Sequence, residues 1–133
     1  MDKILVAYDG TDPSKRALQT AATLSKAFNA PIGVVSVVPR HPGRSPVDPW
    51  DDGRVHAAEL VEARELLRAE GLEAELLEPM GDPALMIERM AEKGGYDTVV
   101  VGTRDLGSVD RLLQGSVSEH VATHATATVV VAR

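Results

Sequence analysis

A glycine-bearing polar loop near the end of the chain contains the residues best suited to bind phosphate. It follows an apolar run, Thr98 to Val101, begins at Gly102 and reaches Gly115-Ser116, where a helix is predicted to begin. Phosphate binding needs backbone N–H groups that can donate at a helix N-terminus, and a loop joining a buried strand to a helix provides them. The segment from 96 to 133 therefore indicates a phosphate site.

Each of these residues also has a purely structural interpretation. Gly102, Gly107 and Gly115 would each supply only the positive φ that a tight loop requires. Ser116 and Glu119 have the spacing of a capping box, in which the serine hydroxyl accepts from the Glu119 amide. In the binding interpretation, the Ser116 hydroxyl and the first-turn amides donate to a phosphate oxygen, helped by the helix dipole, and Ser118 adds a second hydroxyl.

Apolar runs of strand length alternate with segments of helical period along the whole chain. Such alternation is typical of a parallel sheet with helical crossovers, and right-handed crossovers then give an open twisted sheet. The predicted strands are Ile4 to Ala7, Ile32 to Val38, Ala74 to Leu77, Thr98 to Val101 and Thr128 to Ala132. The sequence predicts an α/β fold in the order βαβαβαβαβ.

Helix signals stand between these strands. Asp12-Pro13 and Asp82-Pro83 each pair an N-cap residue with a proline at the first helical position. After Asp12, an apolar face is predicted from the spacing of Ala17, Ala21, Leu24 and Phe28. Another helix carries Ala57, Leu60, Ala63 and Leu67 and ends near Gly71, and a last one follows Ser116. The stretch 40–53 reads as an irregular surface excursion within a single domain of residues 1–133.

The composition excludes several classes of function. The 133 residues carry a formal net charge of −6, so no basic stripe is available for a nucleic acid. No cysteine is present, which excludes disulfides, thiol redox chemistry and cysteine-based zinc sites. Neither a signal-peptide core nor a run of membrane-spanning length occurs, so we expect a cytoplasmic protein without membrane contact.

The chain resembles the universal stress protein family, single-domain type, over nearly its whole length. The resemblance lies in AYDGTDPSKRAL near the start, Gly81-Asp82-Pro83 in the middle and LLQGSVSEHV near the end. Nucleotide-binding members carry glycine, two residues, glycine, nine residues, glycine, then serine or threonine. Gly102, Gly115 and Ser116 fall on that pattern, whereas Asp105 stands where the second glycine belongs.

The resemblance implies a fold, a ligand and a set of contacts. The fold is a three-layer, Rossmann-like open twisted parallel sheet of five strands in the order 3-2-1-4-5, similar to the adenine nucleotide alpha hydrolases. The ligand is ATP or AMP, with Mg²⁺ or Mn²⁺ entering beside a triphosphate. The implied nucleotide-binding residues are Asp9, Gly10, Thr11, Val37, Gly102, Thr103, Arg104, Gly107, Gly115, Ser116, Val117 and Ser118.

Within this set, Asp9 would accept hydrogen bonds from a base amine or a sugar hydroxyl. Its alternative is structural, because Asp9 and Thr11 can also form an Asx turn into the first helix. The family also implies a homodimer, formed by laying the strand Thr128 to Ala132 against its copy across a two-fold axis. The alternative is an edge that a loop or Arg133 protects.

Asp105 argues against nucleotide binding. A carboxylate about 4 Å from a phosphate charge would cost on the order of 4 kcal/mol at an effective dielectric constant near 20. Neutralisation by Arg104 or Arg111, a bridging divalent cation, or a solvent-facing side chain would each remove that cost. The alternative function is therefore a universal stress protein that binds no nucleotide and acts as a protein-interaction module.

An enzyme is a third hypothesis, a nucleotide-dependent transferase or hydrolase with Asp9 as its base. Under the nucleotide-binding hypothesis, by contrast, ATP hydrolysis should be slow at most, because no residue is recognised there that would activate water and no Walker lysine is present. No metal site is predicted: His120 and His124 lie four apart on one predicted helix and could form a metal pair, but no HExxH motif surrounds them, and solvated or helix-end histidines are the alternative. Acidic residues of the second helix are predicted to form a solvated face, and they are Glu59, Glu62, Glu65 and Glu70.

Overall fold

The computed structural model of the chain describes residues 1–38, 53–102 and 127–132. Five strands and three helices lie in these ranges. They are β1 (Ile4–Ala7), α1 (Asp12–Phe28), β2 (Ile32–Val35), α2 (Gly53–Ala69), β3 (Ala74–Leu77), α3 (Pro83–Gly94), β4 (Thr98–Gly102) and β5 (Thr128–Ala132). The helix predicted after Ser116 falls outside the described residues.

The five strands form one parallel sheet in the order β3-β2-β1-β4-β5. This order confirms the predicted α/β fold and the predicted arrangement 3-2-1-4-5. In the register of the central pair, Ile4 lies opposite Thr98 and Val6 opposite Val100. The chain direction of the crossovers reverses between β1 and β4, so the switch point of the sheet lies between these two strands.

Two apolar clusters cover the two faces of the sheet. The first joins Ile4, Val6 and Val34 to buried residues of α1 and α2, among them Ala21 and Leu67. The second joins the alternate strand residues to α3, and its buried members include Leu5, Val35, Ile87 and Val99. Successive residues of a strand point to opposite faces, so strands buried on both faces read as unbroken apolar runs.

The helix caps follow the sequence signals with one correction. Asp82 caps α3 as predicted, and its Oδ2 accepts from the Leu85 amide at 3.1 Å. The cap of α1 is Thr11 rather than the predicted Asp12, because the Thr11 side chain accepts from the Ser14 amide. Asp12 lies instead in the first turn, where its negative charge faces the positive end of the helix dipole. Asn29 ends α1 in the left-handed conformation.

Three further predictions differ from the structure at element ends. The strand predicted as Ile32 to Val38 is regular only to Val35, and Val38 forms an isolated bridge with Met80. Phe28, predicted on the apolar face of α1, is 54% exposed because it lies at the last helical position, beyond the sheet. Gly53, the end of the predicted excursion, already belongs to α2, and 40–52 lies outside the described residues.

The helices of the described ranges are 12 to 17 residues long. No helix there is both long enough and apolar enough to cross a bilayer.

Candidate functional site

The candidate site lies at the carboxyl edge of the sheet, where β1 and β4 end side by side. Continuing the observed register by two residues beyond Val6 and Val100 places Tyr8 opposite Gly102. The turn that follows Tyr8 therefore begins next to the end of β4. Ligands of open α/β sheets bind at the carboxyl ends of the strands, where the strand order reverses. The predicted sites at Asp9 and at Gly102 are thus brought to one edge.

Asp9 and Thr11 form the Asx turn that leads into α1. The Asp9 Oδ1 atom accepts from the Thr11 amide at 3.0 Å and from the Thr11 hydroxyl at 2.5 Å. The Ser14 hydroxyl accepts from the Asp9 amide at 3.3 Å and donates to the Thr11 carbonyl at 2.9 Å. This network confirms the structural interpretation of Asp9. It is compatible with ligand contact, because a carboxylate has two oxygens and about four acceptor positions.

Gly10 completes this turn with a φ of +80°, a value that favours glycine. Its Cα also lies close to α2, because a Cβ on Gly10 would be 3.6 Å from Cγ of Glu59. The predicted site residues Asp9, Gly10 and Thr11 therefore form a single hydrogen-bonded turn that lies next to Glu59 of α2.

Gly102 is a glycine for a reason that the sequence interpretation missed. Its φ is not among the positive values of the described glycines, so the positive-φ interpretation is wrong here. A Cβ at this position would be 2.5 Å from the carbonyl oxygen of Pro13 and 2.9 Å from its Cβ. The first turn of α1 therefore lies directly against the end of β4, and only glycine permits this approach.

The N-terminus of α1 has its own internal partners. Thr11 accepts from the Ser14 amide at 3.4 Å through its hydroxyl, and from the Lys15 amide at 2.9 Å through its carbonyl. Pro13 has no N–H group, and Asp12 adds a negative charge to the first turn. This end of α1 is therefore poorly suited to bind a phosphate. The loop that follows Gly102 is the better candidate for the phosphate position.

Val37 lies where β2 separates from β1. The Tyr8 amide donates to the Val35 carbonyl at 3.0 Å, and the regular pairing of β1 with β2 ends there. The alternate residues Ser36 and Val38 bond to the opposite neighbour, at the end of β3 and just beyond it. Ser36 N donates to the Leu77 carbonyl at 3.0 Å, and Val38 N to the Pro79 carbonyl at 2.8 Å. Val37 packs, partly buried, against the cluster under α3. By alternation, the backbone groups of Val37 therefore point to the side of β1, beyond the last paired residue of that strand.

Two acidic residues of α2 lie against this edge. Glu59 is half-buried, and its Oε2 accepts from the buried Ser36 hydroxyl at 3.3 Å. Glu62 accepts a short hydrogen bond from the Tyr8 hydroxyl and lies 3.8 Å from the Lys15 ammonium. The predicted solvated face is therefore wrong for Glu59, which is half-buried, whereas Glu62 is exposed as predicted although it bonds to Tyr8. The prediction is also correct for Glu65 and Glu70, which form exposed ion pairs with neighbouring Arg and Lys side chains.

The nearby carboxylates and burial shift the pKa of the Tyr8 hydroxyl. Burial, the hydrogen bond to Glu62, and the charges of Glu62, Glu59 and Asp9 all raise the pKa of the Tyr8 hydroxyl well above its usual value. Each of these effects disfavours a negative phenolate, so Tyr8 stays a hydrogen-bond donor at any physiological pH. The β1–β2 side of the edge thus offers carboxylate acceptors, whereas the β4 side offers backbone.

The other predicted contacts lie outside the described residues: Thr103, Arg104, Gly107, Gly115, Ser116, Val117 and Ser118, and with them Asp105. Within the described ranges, no three or more His, Asp or Glu side chains cluster as a metal site would require. Sequence reasoning missed Ser36, Glu59 and Tyr8. The available signal was a polar residue, Ser36, directly after an apolar strand that ends at the carboxyl edge.

Comparison with known proteins assigns the family. The sequence profile of the universal stress protein family matches residues 1–133. A universal stress protein of Thermus aquaticus, encoded in the 3′ region of a QAH/OAS sulfhydrylase, is 34% identical over 133 residues, which cover 98% of this chain and 97% of the relative.

Solved structures share the fold. A universal stress protein of Archaeoglobus fulgidus in complex with dAMP has a TM-score of 0.73 and 24% identity, covering 100% of this chain and 98% of its own. A universal stress protein in complex with cAMP has a TM-score of 0.71 at the same identity, with coverage of 99% and 97%. The sheet order, the profile match and the close relative agree, and the chain belongs to the universal stress protein family.

Proposed function

We propose that this protein binds an adenine nucleotide, AMP or ATP, at the carboxyl edge of the sheet. The main support for this proposal is the pairing of β1 with β4, which brings the Asp9 turn and Gly102 to the carboxyl edge of the sheet. The family spacing of Gly102, Gly115 and Ser116 supports a phosphate position in the loop that follows β4. The protein would then be a nucleotide-responsive regulatory or protective module of a stress response.

The orientation of the nucleotide follows from the two sides of the edge. The phosphates belong on the β4 side, because the carboxylates of Asp9, Glu59 and Glu62 lie on the other side and would repel them. The sugar and the base then extend across the Asp9 turn toward Val37. Mg²⁺ or Mn²⁺ would accompany a triphosphate and neutralise part of its charge. The remaining predicted contacts, from Thr103 to Ser118, belong to the same proposal.

Asp105 favours a second function, a protein-interaction module without nucleotide. The two functions differ in the effect of Asp105→Gly on the dissociation constant of AMP, measured by equilibrium titration. If the wild-type protein binds nucleotide, removing this carboxylate changes the affinity little. If Asp105 closes the site, the substitution creates binding or raises the affinity sharply, by up to about a thousandfold from the Coulomb energy given above.

A matched variant ties binding to the described part of the site. Asp9→Asn keeps the size of the side chain and the acceptor for the Thr11 amide but removes the charge. We expect it to fold and to bind AMP more weakly. Unchanged affinity in Asp9→Asn would place the nucleotide away from this turn and contradict the proposed site.

We further propose a homodimer formed through β5, the edge strand on the β4 side of the sheet. The topology leaves one side of β5 without a neighbouring strand in the described ranges, and Val129, Val130 and Val131 are only partly buried there. An apolar edge strand of this kind pairs readily with a second copy.

A further inference from the structure

We propose that the groove between α1 and α2 binds the chain of a medium-length alkyl carboxylate, with the ligand head group at Lys15. None of the residues that line this groove is among the proposed nucleotide contacts. The inference is therefore independent of the proposed function. It rests on three features of the groove: its apolar surface, the charged groups at its two ends, and its length.

The first feature is an apolar groove of about 250 Å³ that the two helices leave open between them. Leu18 and Ala22 of α1 and Leu67 of α2 are buried and form its floor. Leu66 lines the same groove but keeps 43% of its surface exposed. Because Ala22 has only a methyl group, α1 leaves this part of the groove unfilled. An apolar ligand that covers Leu66 and fills this space removes apolar surface from water.

The second feature is the difference between the two ends of the groove. Glu70 lines one end, and the Lys26 ammonium neutralises its carboxylate at 2.6 Å. Lys15 lines the other end, and its ammonium lies 3.8 Å from Oε1 of Glu62, the oxygen that also accepts a hydrogen bond from the Tyr8 hydroxyl. The Lys15 ammonium can therefore turn to a ligand carboxylate while Glu62 keeps a donor. The charges thus favour an anionic head group at the Lys15 end.

The third feature is the length of the groove along α1. The two ion pairs just described join α1 to α2 in the same chain order, so the two helices run in the same direction. From Lys15 to Ala22 the helix rises about 10 Å, at about 1.5 Å per residue. An extended alkyl chain advances about 1.2 Å per bond, a third of the length of an extended residue. The groove therefore matches a chain of about eight carbons.

The chain supplies most of the binding energy and the head group supplies the selectivity. Each methylene that leaves water strengthens binding about fourfold. Five buried methylenes then give about a thousandfold, which corresponds to a dissociation constant of about 1 mM. The contact between Lys15 and the ligand carboxylate is exposed to solvent, so it adds only about twofold to fivefold.

The test compares sodium octanoate with octanol, which has the same chain and an uncharged head group. Titrations followed by amide NMR spectra locate each ligand and give its dissociation constant. We expect saturable shifts at Leu18, Ala22 and Leu66, with a dissociation constant of about 1 mM or below for octanoate. Butanoate, whose chain is shorter by half, should bind at least about tenfold more weakly.

Three variants separate the head group from the chain. Lys15→Met removes the cation but keeps an unbranched apolar side chain, so octanoate should bind about twofold to fivefold more weakly while octanol is unaffected. Lys26→Met is the matched control, because it removes the same charge from the same helix outside the groove lining. It should keep the wild-type ratio of the two dissociation constants. Ala22→Leu fills the groove and should weaken both ligands at least about tenfold.

Equal changes for octanoate and octanol in Lys15→Met would overturn the head-group position. Shifts that lie outside the groove would overturn the site itself. The same conclusion would follow if about 10 mM octanoate, tenfold above the expected dissociation constant, gave no saturable shifts in the folded wild-type protein. Because the lining of the groove contains neither the Asp9 turn nor Gly102, each of these results would leave the proposed nucleotide site standing.

Discussion

Asp97 joins the start of the chain to the sheet through a single carboxylate. Its Oδ2 accepts from the Asp2 amide at 2.8 Å, and its Oδ1 accepts from the Lys3 amide at 3.1 Å. These two backbone hydrogen bonds, with smaller help from the Thr98 hydroxyl and the N-terminal charge, lower the pKa of Asp97 against a partial desolvation. The ionised side chain therefore stabilises the folded state.

The pH dependence of stability follows from the direction of that shift. Because the pKa is lower in the folded state, the unfolded chain binds more protons in acid, and stability falls as the pH falls. The contribution is complete above about pH 4, the usual pKa of an aspartate, and is lost below it. We expect Asp97→Asn to be less stable by about 1 kcal/mol at pH 7, a low value because the group is partly solvated.

Chemical denaturation of both proteins between pH 7 and pH 2.5 measures this effect. The difference in unfolding free energy between wild type and Asp97→Asn should shrink as the pH falls through the acid range. A difference that stays constant would contradict a role for the ionised carboxylate.

Single residues also show where sequence reasoning loses information. The charges of α2 have the spacing of a solvated face, yet Glu59 is half-buried and bonds to Ser36, and the exposed Glu62 bonds to Tyr8. Glu65 instead pairs with arginines of its own helix. The helix period places all of them beside the apolar stripe. Only the position of α2 over the ends of β1 and β2 decides which carboxylates reach the sheet, and that position depends on tertiary packing.

At the scale of elements, Gly33 and Gly102 stand where another group lies too close to the strand to leave room for a Cβ. That group is the Tyr96 ring at Gly33 and the start of α1 at Gly102. Gly33 stands in the middle of β2, and the ring of Tyr96 crosses over it. A Cβ at Gly33 would lie 2.7 Å from the Tyr96 Cζ. The Tyr96 hydroxyl continues past this point and donates to Glu75 of β3 at 2.8 Å, so the ring ties two neighbouring strands together.

A double-mutant cycle tests this contact. Gly33→Ala should lower the free energy of unfolding by about 1–3 kcal/mol, because the methyl group overlaps the ring. In a Tyr96→Leu background the same substitution should cost at least about 1 kcal/mol less, since the ring is gone. Additive effects, measured by urea denaturation, would show that the ring does not impose glycine at this position.

Gly102→Ala separates packing from ligand binding at the end of β4. The added methyl group would meet the Pro13 backbone, which cannot move without shifting α1. We expect a loss of about 1–3 kcal/mol in the absence of any nucleotide. Gly71→Ala is the control with open space around it, where only the positive φ of +79° adds a cost. Wild-type stability of Gly102→Ala would contradict the close approach of α1.

The ends of helices were predictable from the sequence where a capping residue or a proline marks them. Asp82-Pro83 predicted the start of α3, because capping depends on local geometry. The end of β2 was predicted too late. Ser36 is the one polar residue within Ile32 to Val38, and regular pairing with β1 stops just before it, at Val35, where β1 itself ends at Ala7.

At the scale of the whole molecule, the alternation of strands and helices predicted the sheet, and the family resemblance supplied its strand order. The sheet order in turn explains the site, since it brings segments near residues 9 and 102 to one edge. The same order places β5 at the edge of the sheet. All five residues of β5 lie in register with β4. The Thr128 amide donates to the Asp97 carbonyl at 2.9 Å, so by alternation the amides of Thr128, Val130 and Ala132 point toward β4.

The proposed dimer is tested by a proline on the outer side of β5. In a parallel ladder alternate residues bond to the same neighbour, so the amide of Val131 points away from β4. Val131→Pro should therefore weaken dimerisation at least about tenfold, by removing one hydrogen bond across the interface, while the fold is retained. Val130→Pro should instead destabilise the fold. Sedimentation equilibrium measures the dimer, and a wild-type dimer that Val131→Pro leaves intact would place the interface elsewhere.

Calorimetric titration of the folded wild-type protein with ATP, with and without Mg²⁺, tests nucleotide binding most directly. We expect saturable binding of one nucleotide per chain in the micromolar range, and a dependence on Mg²⁺ if a cation bridges Asp105 to the phosphates. The absence of heat at millimolar ATP and AMP, from a protein whose circular dichroism shows the intact fold, would contradict nucleotide binding. It would leave the protein-interaction module as the function of this chain.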